Sequence, residues 1–150
     1  MEKKFLSFND LSARELYDCL KLRQDVFIIE QDCIYPDIDN HDADAIHFFL
    51  YLRDELAAYA RIFPPTKKYE DESSIGRIVV ASKHRGTDVG KTLISESIQY
   101  CSEHYPQANI RIEAQAKLDE YYQKYGFVKE GGVYVVDGID HQQMVWKKKY

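Results

Sequence analysis

The chain has 150 residues, a length that holds one ordinary domain with its own core and is too short for two. With 45% hydrophobic and 30% charged residues it has the balance of a globular protein in water, and no apolar run approaches the roughly 20 residues of a membrane span. A net charge of −5 disfavours a nucleic-acid partner, which needs clustered Lys and Arg, so Lys147-Lys148-Lys149 is read as a solvated tail.

Met1 to Phe8 carries two lysines with no long apolar segment after them, which predicts no secretory signal and a cytoplasmic location. Cys19, Cys33 and Cys101 are odd in number and widely spaced, with no C-x-x-C pair, the pattern of reduced thiols. Phe5, Leu6 and Phe8 predict a first strand. Ser12 with Glu15 three residues on is a capping-box signal, and Leu16, Cys19, Leu20, Val26 and Phe27 extend the helix it opens to about Phe27. From Glu30 to Asp44 the chain is acidic and contains Pro36, so a loop is expected. Within it, Asp37-x-Asp39-x-His41-Asp42 resembles a calcium loop only superficially. Asp42 stands at the sixth position, where Gly is required, and Phe48 at the twelfth, where Glu is required, so no metal is expected.

Two apolar runs, residues 47–52 and 56–63, flank Arg53-Asp54-Glu55 as a hairpin that ends at Pro64-Pro65. Another strand is predicted over 75–81, and Val89, Leu93, Ile94, Ile98 and Cys101 mark a helix that stops before Pro106. Residues 110–114 read as a strand, and a short helix carrying Leu118, Tyr121, Tyr122 and Tyr125 ends on Gly126 as a left-handed cap. A last hairpin joins 127–136 to 141–146 around Asp137-Gly138. The order β-α-β-β-β-α-β-α-β-β predicts an α/β (α+β) fold, a mixed sheet of about seven strands with helices on both faces.

The most informative stretch runs from Ser82 to Thr92 and joins a strand to a helix through a glycine-containing turn. The first amides of a helix lack intrahelical partners, the helix dipole favours anions, and glycine allows close backbone approach, so a pyrophosphate fits here; Arg85 and Lys91 add positive charge. Gly90-Lys91-Thr92 matches the end of a triphosphatase P-loop. That pattern requires Gly at position 85, where Arg85 stands.

This loop resembles motif A of the GNAT superfamily of N-acetyltransferases: Gln or Arg, two residues, Gly, one residue, Gly or Ala. Arg85 and Gly90 occupy its ends, and Asp88 stands where its first glycine is usual, with Gly86 nearby. Tyr121-Tyr122-Gln123-Lys124-Tyr125-Gly126-Phe127 resembles that family's aromatic-Tyr-x-x-x-Gly-Phe signature. Residues Leu22, Arg23, Val26, Phe27, Glu30, Gln31, Tyr35, Asp37, Asp39, His47 and Tyr59-Ala60-Arg61-Ile62, then Gln115-Ala116 and the segment from Asp137 to Met144, are similar to the narrower ElaA-like group.

The resemblance implies a mostly antiparallel GNAT-type sheet and acetyl-CoA as acyl donor to an amine of unidentified class. A non-catalytic acyl-CoA-binding or regulatory module of the same fold is the competing reading, and the oligomeric state is open, a homodimer included. The resemblance implies cofactor contacts from Ile78, Val79 and Val80 on the strand, from Arg85, Gly86, Thr87, Asp88, Val89, Gly90 and Lys91 on the loop, and from Gln115. Tyr122, four residues before Gly126, falls where the family's general acid is placed. No single base stands out: Glu113, Glu30 and Asp37 are candidates, and a chain of waters would serve as well. Arg23 and Arg61 either reach an acceptor or pair with the acidic loop.

Overall fold

A computed structural model describes residues 1–149. Eight strands form one sheet: β1 (Glu2–Ser7), β2 (Ile46–Leu52), β3 (Glu55–Phe63), β4 (Ser73–Val80), β5 (Ile110–Gln115), β6 (Val128–Lys129), β7 (Tyr134–Val136) and β8 (Ile139–Trp146). Their spatial order is β1-β2-β3-β4-β5-β8-β6, with β7 also on β8; every pairing is antiparallel except β4 with β5. The last hairpin differs from expectation, because its first arm breaks at Gly131-Gly132 into β6 and β7. Glycine weakens a strand interior, and this short edge offers little packing to offset it.

Helix α1 (Ala13–Arg23) opens with a complete capping box. The Glu15 amide donates to Ser12 Oγ at 3.1 Å, and the Ser12 amide donates to Glu15 Oε1 at 2.8 Å. The regular helix ends four residues before the expected Phe27 and continues as a π-helical turn, Gln24–Glu30. Helices α2 (Val89–His104) and α3 (Asp119–Gln123) follow β4 and β5. Both hairpin turns are local in origin: Arg53 and Asp54, like Asp137 and Gly138, have positive φ, the geometry that matches the twist of paired strands. Gly126, at φ +100, ends α3 in the left-handed conformation expected of it.

Helices cover both faces of the sheet. On one, Val89, Leu93, Ile94 and Cys101 of α2 pack with Phe48, Ala60, Ile62, Ile110 and Ile112. On the other, Cys19, Leu22 and Val26 pack on Phe49, Tyr51, Tyr59 and Val79. Burial pushes the Cys19 and Cys101 thiols up to about 12, which keeps them protonated and unreactive. Among the described residues, no helix is long and apolar enough to cross a membrane.

Candidate active site

Strands β4 and β5 pair only at Ser73 with Ile110 and Ser74 with Arg111, and then part. The divergence follows from a bulge: Tyr59 faces Val79 and Arg61 faces Gly76, so β4 carries one residue more than β3 across this interval. Arg77 takes up the extra residue at φ +47, a left-handed conformation that is uncommon for any side chain but glycine. The Ala81 amide donates to Ala57 O, toward β3. Strand alternation therefore turns the amides and carbonyls of Ile78 and Val80 toward the gap.

The gap widens into a cleft of about 560 Å³. Ile78, Val79, Val80, Gln115, Tyr121 and Tyr122 line it on the sheet and α3 side, and Glu30, Arg61, Lys68, Arg77, Glu113 and His141 line it toward the acidic loop and β8. Arg85 also lines it, donating from Nε to Val80 O at 3.2 Å and pairing through Nη1 with Glu30 Oε2 at 2.6 Å. The rest of its loop lies beside the cleft. Gly86 bends the chain at φ +77, Thr87 Oγ1 accepts from the Val89 amide at 3.3 Å, and no side chain of Asp88 caps α2. The amides of Gly90 and Lys91 precede the first α2 bond, Thr92 N to Asp88 O, and so lack intrahelical partners. A Cβ on Gly90 would stand 3.3 Å from Tyr121 Oη and 3.7 Å from Val80 Cγ2, so glycine here lets α2 close against the cleft wall.

Beneath the bulge lies a charge network that joins distant segments. Fully buried Arg23 donates from Nε to Asp37 Oδ2 at 2.8 Å, from Nη1 to Asp42 Oδ1 at 2.9 Å and from Nη2 to Asp37 O at 2.8 Å. Arg61 bridges Asp39 and Asp42, and Arg77 donates from Nε to Asp37 Oδ1 at 2.8 Å. Three guanidinium groups thus face three carboxylates, each carboxylate accepting from two of them, the condition under which buried charge is tolerated. Burial would push the Asp39 and Asp42 carboxyls up, but Arg61 for Asp39, and Arg23 with Arg61 for Asp42, hold both below the usual range. Buried His47 ties the network to the sheet, its Nε2 donating to Asp42 O at 2.8 Å and its Nδ1 accepting from Tyr59 Oη at 2.6 Å.

Of the two roles open to Arg23 the structure shows pairing with the acidic loop, and neither Arg23 nor Asp37 lines the cleft, because each is committed to that network. Arg61 also pairs with the acidic loop, through Asp39 and Asp42, and it lines the cleft as well, with its buried Nε lacking a partner. Glu113 lies in the cleft but is engaged, with Lys68 Nζ at 2.9 Å and the Tyr134 hydroxyl at 2.7 Å. Burial alone would raise its carboxyl, and these two donors lower it instead, which makes it a weak base. Tyr122 is 6% exposed and its hydroxyl has no partner among the described residues; burial raises the phenol well above its ordinary value of about 10, so it stays protonated. No group of three or more His, Cys, Asp or Glu among the described residues converges to hold a metal.

The residues that sequence reasoning missed are Arg77, Lys68 and His141. Arg77 lies inside an apolar run that reads as continuous strand, and only the neighbouring Gly76 hints at a bulge. Lys68 and His141 reach the cleft through pairings distant in sequence.

Comparison with known proteins places this geometry. Residues 14–148 match the family model described as "Acetyltransferase (GNAT) domain". The chain is 40% identical over 143 residues to Protein ElaA of Escherichia coli, covering 94% of this chain and 93% of that one, and 38% identical over 141 residues to a UPF0039 protein of Synechocystis, covering 93% and 91%. Among solved structures it is similar to E. coli ElaA, with TM-score 0.90 at 38% identity over 98% of this chain and 100% of that one. It is also similar to an acyl-CoA N-acyltransferase from Pseudomonas aeruginosa, with TM-score 0.92 at 34% identity over 97% and 99%. The chain belongs to the GNAT acetyltransferase family, within its ElaA and UPF0039 group.

Proposed function

We propose that the protein moves an acetyl group from acetyl-CoA to an amine by direct attack on the thioester. The observation that carries this reading is the parting of β4 from β5 at the Arg77 bulge, which exposes a row of strand backbone groups beside a helix N-terminus. The solved P. aeruginosa relative is an acyl-CoA N-acyltransferase, and a GNAT acetyltransferase of Elizabethkingia anophelis that shares the fold, with TM-score 0.65 at 15% identity, holds acetyl-CoA.

The residues present suit that donor. Gly90 and Lys91 offer unpaired amides, and Arg85 and Lys91 offer charge, to a pyrophosphate. Ile78 and Val80 offer amides and carbonyls to an amide-bearing arm, and an amide here is an oxyanion donor held ready by strand geometry. When bound, acetyl-CoA supplies an activated acyl carbon. Tyr122 stays protonated through neutral pH and lines the cleft with a hydroxyl proton free to be donated where a departing thiolate would form. Its partnerless hydroxyl in a nearly buried ring favours a catalytic role over a binding module, which has no need of it.

The test measures acetyl-CoA binding by thermal shift and free thiol release with a panel of amines. Acetyl-CoA should raise Tm while ATP with magnesium does not. Tyr122→Phe should retain the shift and lose about 10²–10⁴-fold in turnover. A folded Tyr122→Phe variant with undiminished turnover would remove Tyr122 from the chemistry, and the absence of any acetyl-CoA shift would remove the reading.

A further inference from the structure

Acyl transfer to an amine needs a group that takes the ammonium proton, and the carboxylates of the cleft are poorly suited. Glu113 is held by Lys68 and Tyr134, and Glu30 by Arg85. Asp137 lies exposed at the β7–β8 turn. His141 is different. It sits on β8 between Gln115 of β5 and Tyr134 of β7, so its half-buried side chain shares a sheet face with both and enters the same cleft as Tyr122. Its Nδ1 is 2.7 Å from Ile139 O. A carbonyl oxygen only accepts, so Nδ1 carries the ring proton and Nε2 is left with its lone pair. Among the described residues Nε2 has no partner. The charged and titratable groups around the ring are Glu113 from β5, Tyr134 from β7 at a ring separation of 6.2 Å, Lys68 from the loop before β4, and Asp137 from the turn, while Asp140, one residue before His141 on β8, belongs to the other sheet face.

We propose that His141 is the general base of acyl transfer, an inference that rests on the function proposed above. Nε2 takes one proton from the acceptor's ammonium and becomes imidazolium. The freed nitrogen lone pair forms the bond to the acyl carbon, and the carbon–sulfur bond breaks with its electrons on sulfur. A second ammonium proton reaches sulfur through the Tyr122 hydroxyl, which gives one proton and regains one. The third hydrogen stays on the amide, and His141 returns its proton to water.

The decisive variant is His141→Asn, whose side-chain amide can keep the bond to Ile139 O while offering no base. With primary alkylamines and acetyl-CoA it should keep the acetyl-CoA thermal shift and lose about 10²–10⁴-fold in thiol release at neutral pH. The deficit should shrink as pH rises toward the amine's own pKa of about 10.4, where the acceptor arrives already deprotonated. A structural role for His141 would give a deficit independent of pH. The second readout needs no acceptor: nitrogen NMR of the neutral ring in alkaline buffer should show the proton on Nδ1. A proton on Nε2, or a pH-independent deficit, would overturn the proposal. Wild-type protein that neither binds acetyl-CoA nor releases thiol would instead strike the function on which it rests.

Discussion

The two walls that meet at the cleft are held by opposite means. Under the β4 bulge, Arg23, Arg61 and Arg77 are locked to Asp37, Asp39 and Asp42 in a largely buried network whose members come from α1, β3, β4 and the acidic loop. On the loop from Ser82 to Thr92, Arg85 meets Glu30 in a pair that is 41% and 43% exposed, and Lys91 stands exposed to solvent. Under the proposed function, the difference separates two tasks. Backbone donors aimed at a reacting carbonyl must be fixed beforehand, because reorganisation at the moment of reaction would cancel their effect. A charge that greets a phosphate has to remain hydrated and free to exchange partners, because a buried pair would have to be broken to bind one.

The largest expected effect lies in the network. Arg23→Met leaves Asp37 and Asp42 each short of a buried partner and should cost about 3–5 kcal/mol, read as a drop of roughly 10 °C in Tm. A loss below about 1 kcal/mol would mean that the bulge is held by strand pairing alone.

Acid should sharpen the same contrast. Asp39 and Asp42 have folded-state values below their unfolded ones, so their contribution is fully present above the unfolded value of about 4 and is lost as pH falls through the folded values. Denaturation by acid should therefore accelerate below about pH 4. Asp42→Asn should flatten the dependence in that window while lowering stability at neutral pH.

The smallest effect is expected at the other wall. Glu30→Gln should change stability by less than about 0.5 kcal/mol, since exposed ion pairs contribute little. It should tighten acetyl-CoA binding by freeing Arg85. Weaker binding would show that Glu30 holds Arg85 in its working position.

The same contrast explains what could be read in the sequence. Features made by neighbours along the chain were legible: the Ser12 and Glu15 capping box, the Asp137-Gly138 turn and the Gly126 cap each depend on a few adjacent residues. Arg85, Gly90 and Tyr122 were legible as a family pattern because their spacing is fixed within one loop and one short helix. The network was not, because its bonds join residues 14 to 40 apart and nothing local tells Arg23 from a surface cation. The Arg77 bulge was hidden for a related reason: a strand's register belongs to its partner, so the extra residue shows only when β3 is laid beside β4. His141 became visible as a candidate base only once β8 was seen to lie between β5 and β7.

The central claim, that the free edge of β4 receives the acyl donor, can be tested by hydrogen–deuterium exchange across β4 with and without acetyl-CoA. The amides of Ile78 and Val80, which face the gap without strand partners, should exchange rapidly in the free protein and become protected when acetyl-CoA binds, while the acidic-loop amides of Asp37 and His41, which donate to Tyr35 O and Asp39 Oδ1, stay unchanged. Saturating acetyl-CoA that left Ile78 and Val80 unprotected, with protection appearing elsewhere in the chain, would contradict the account.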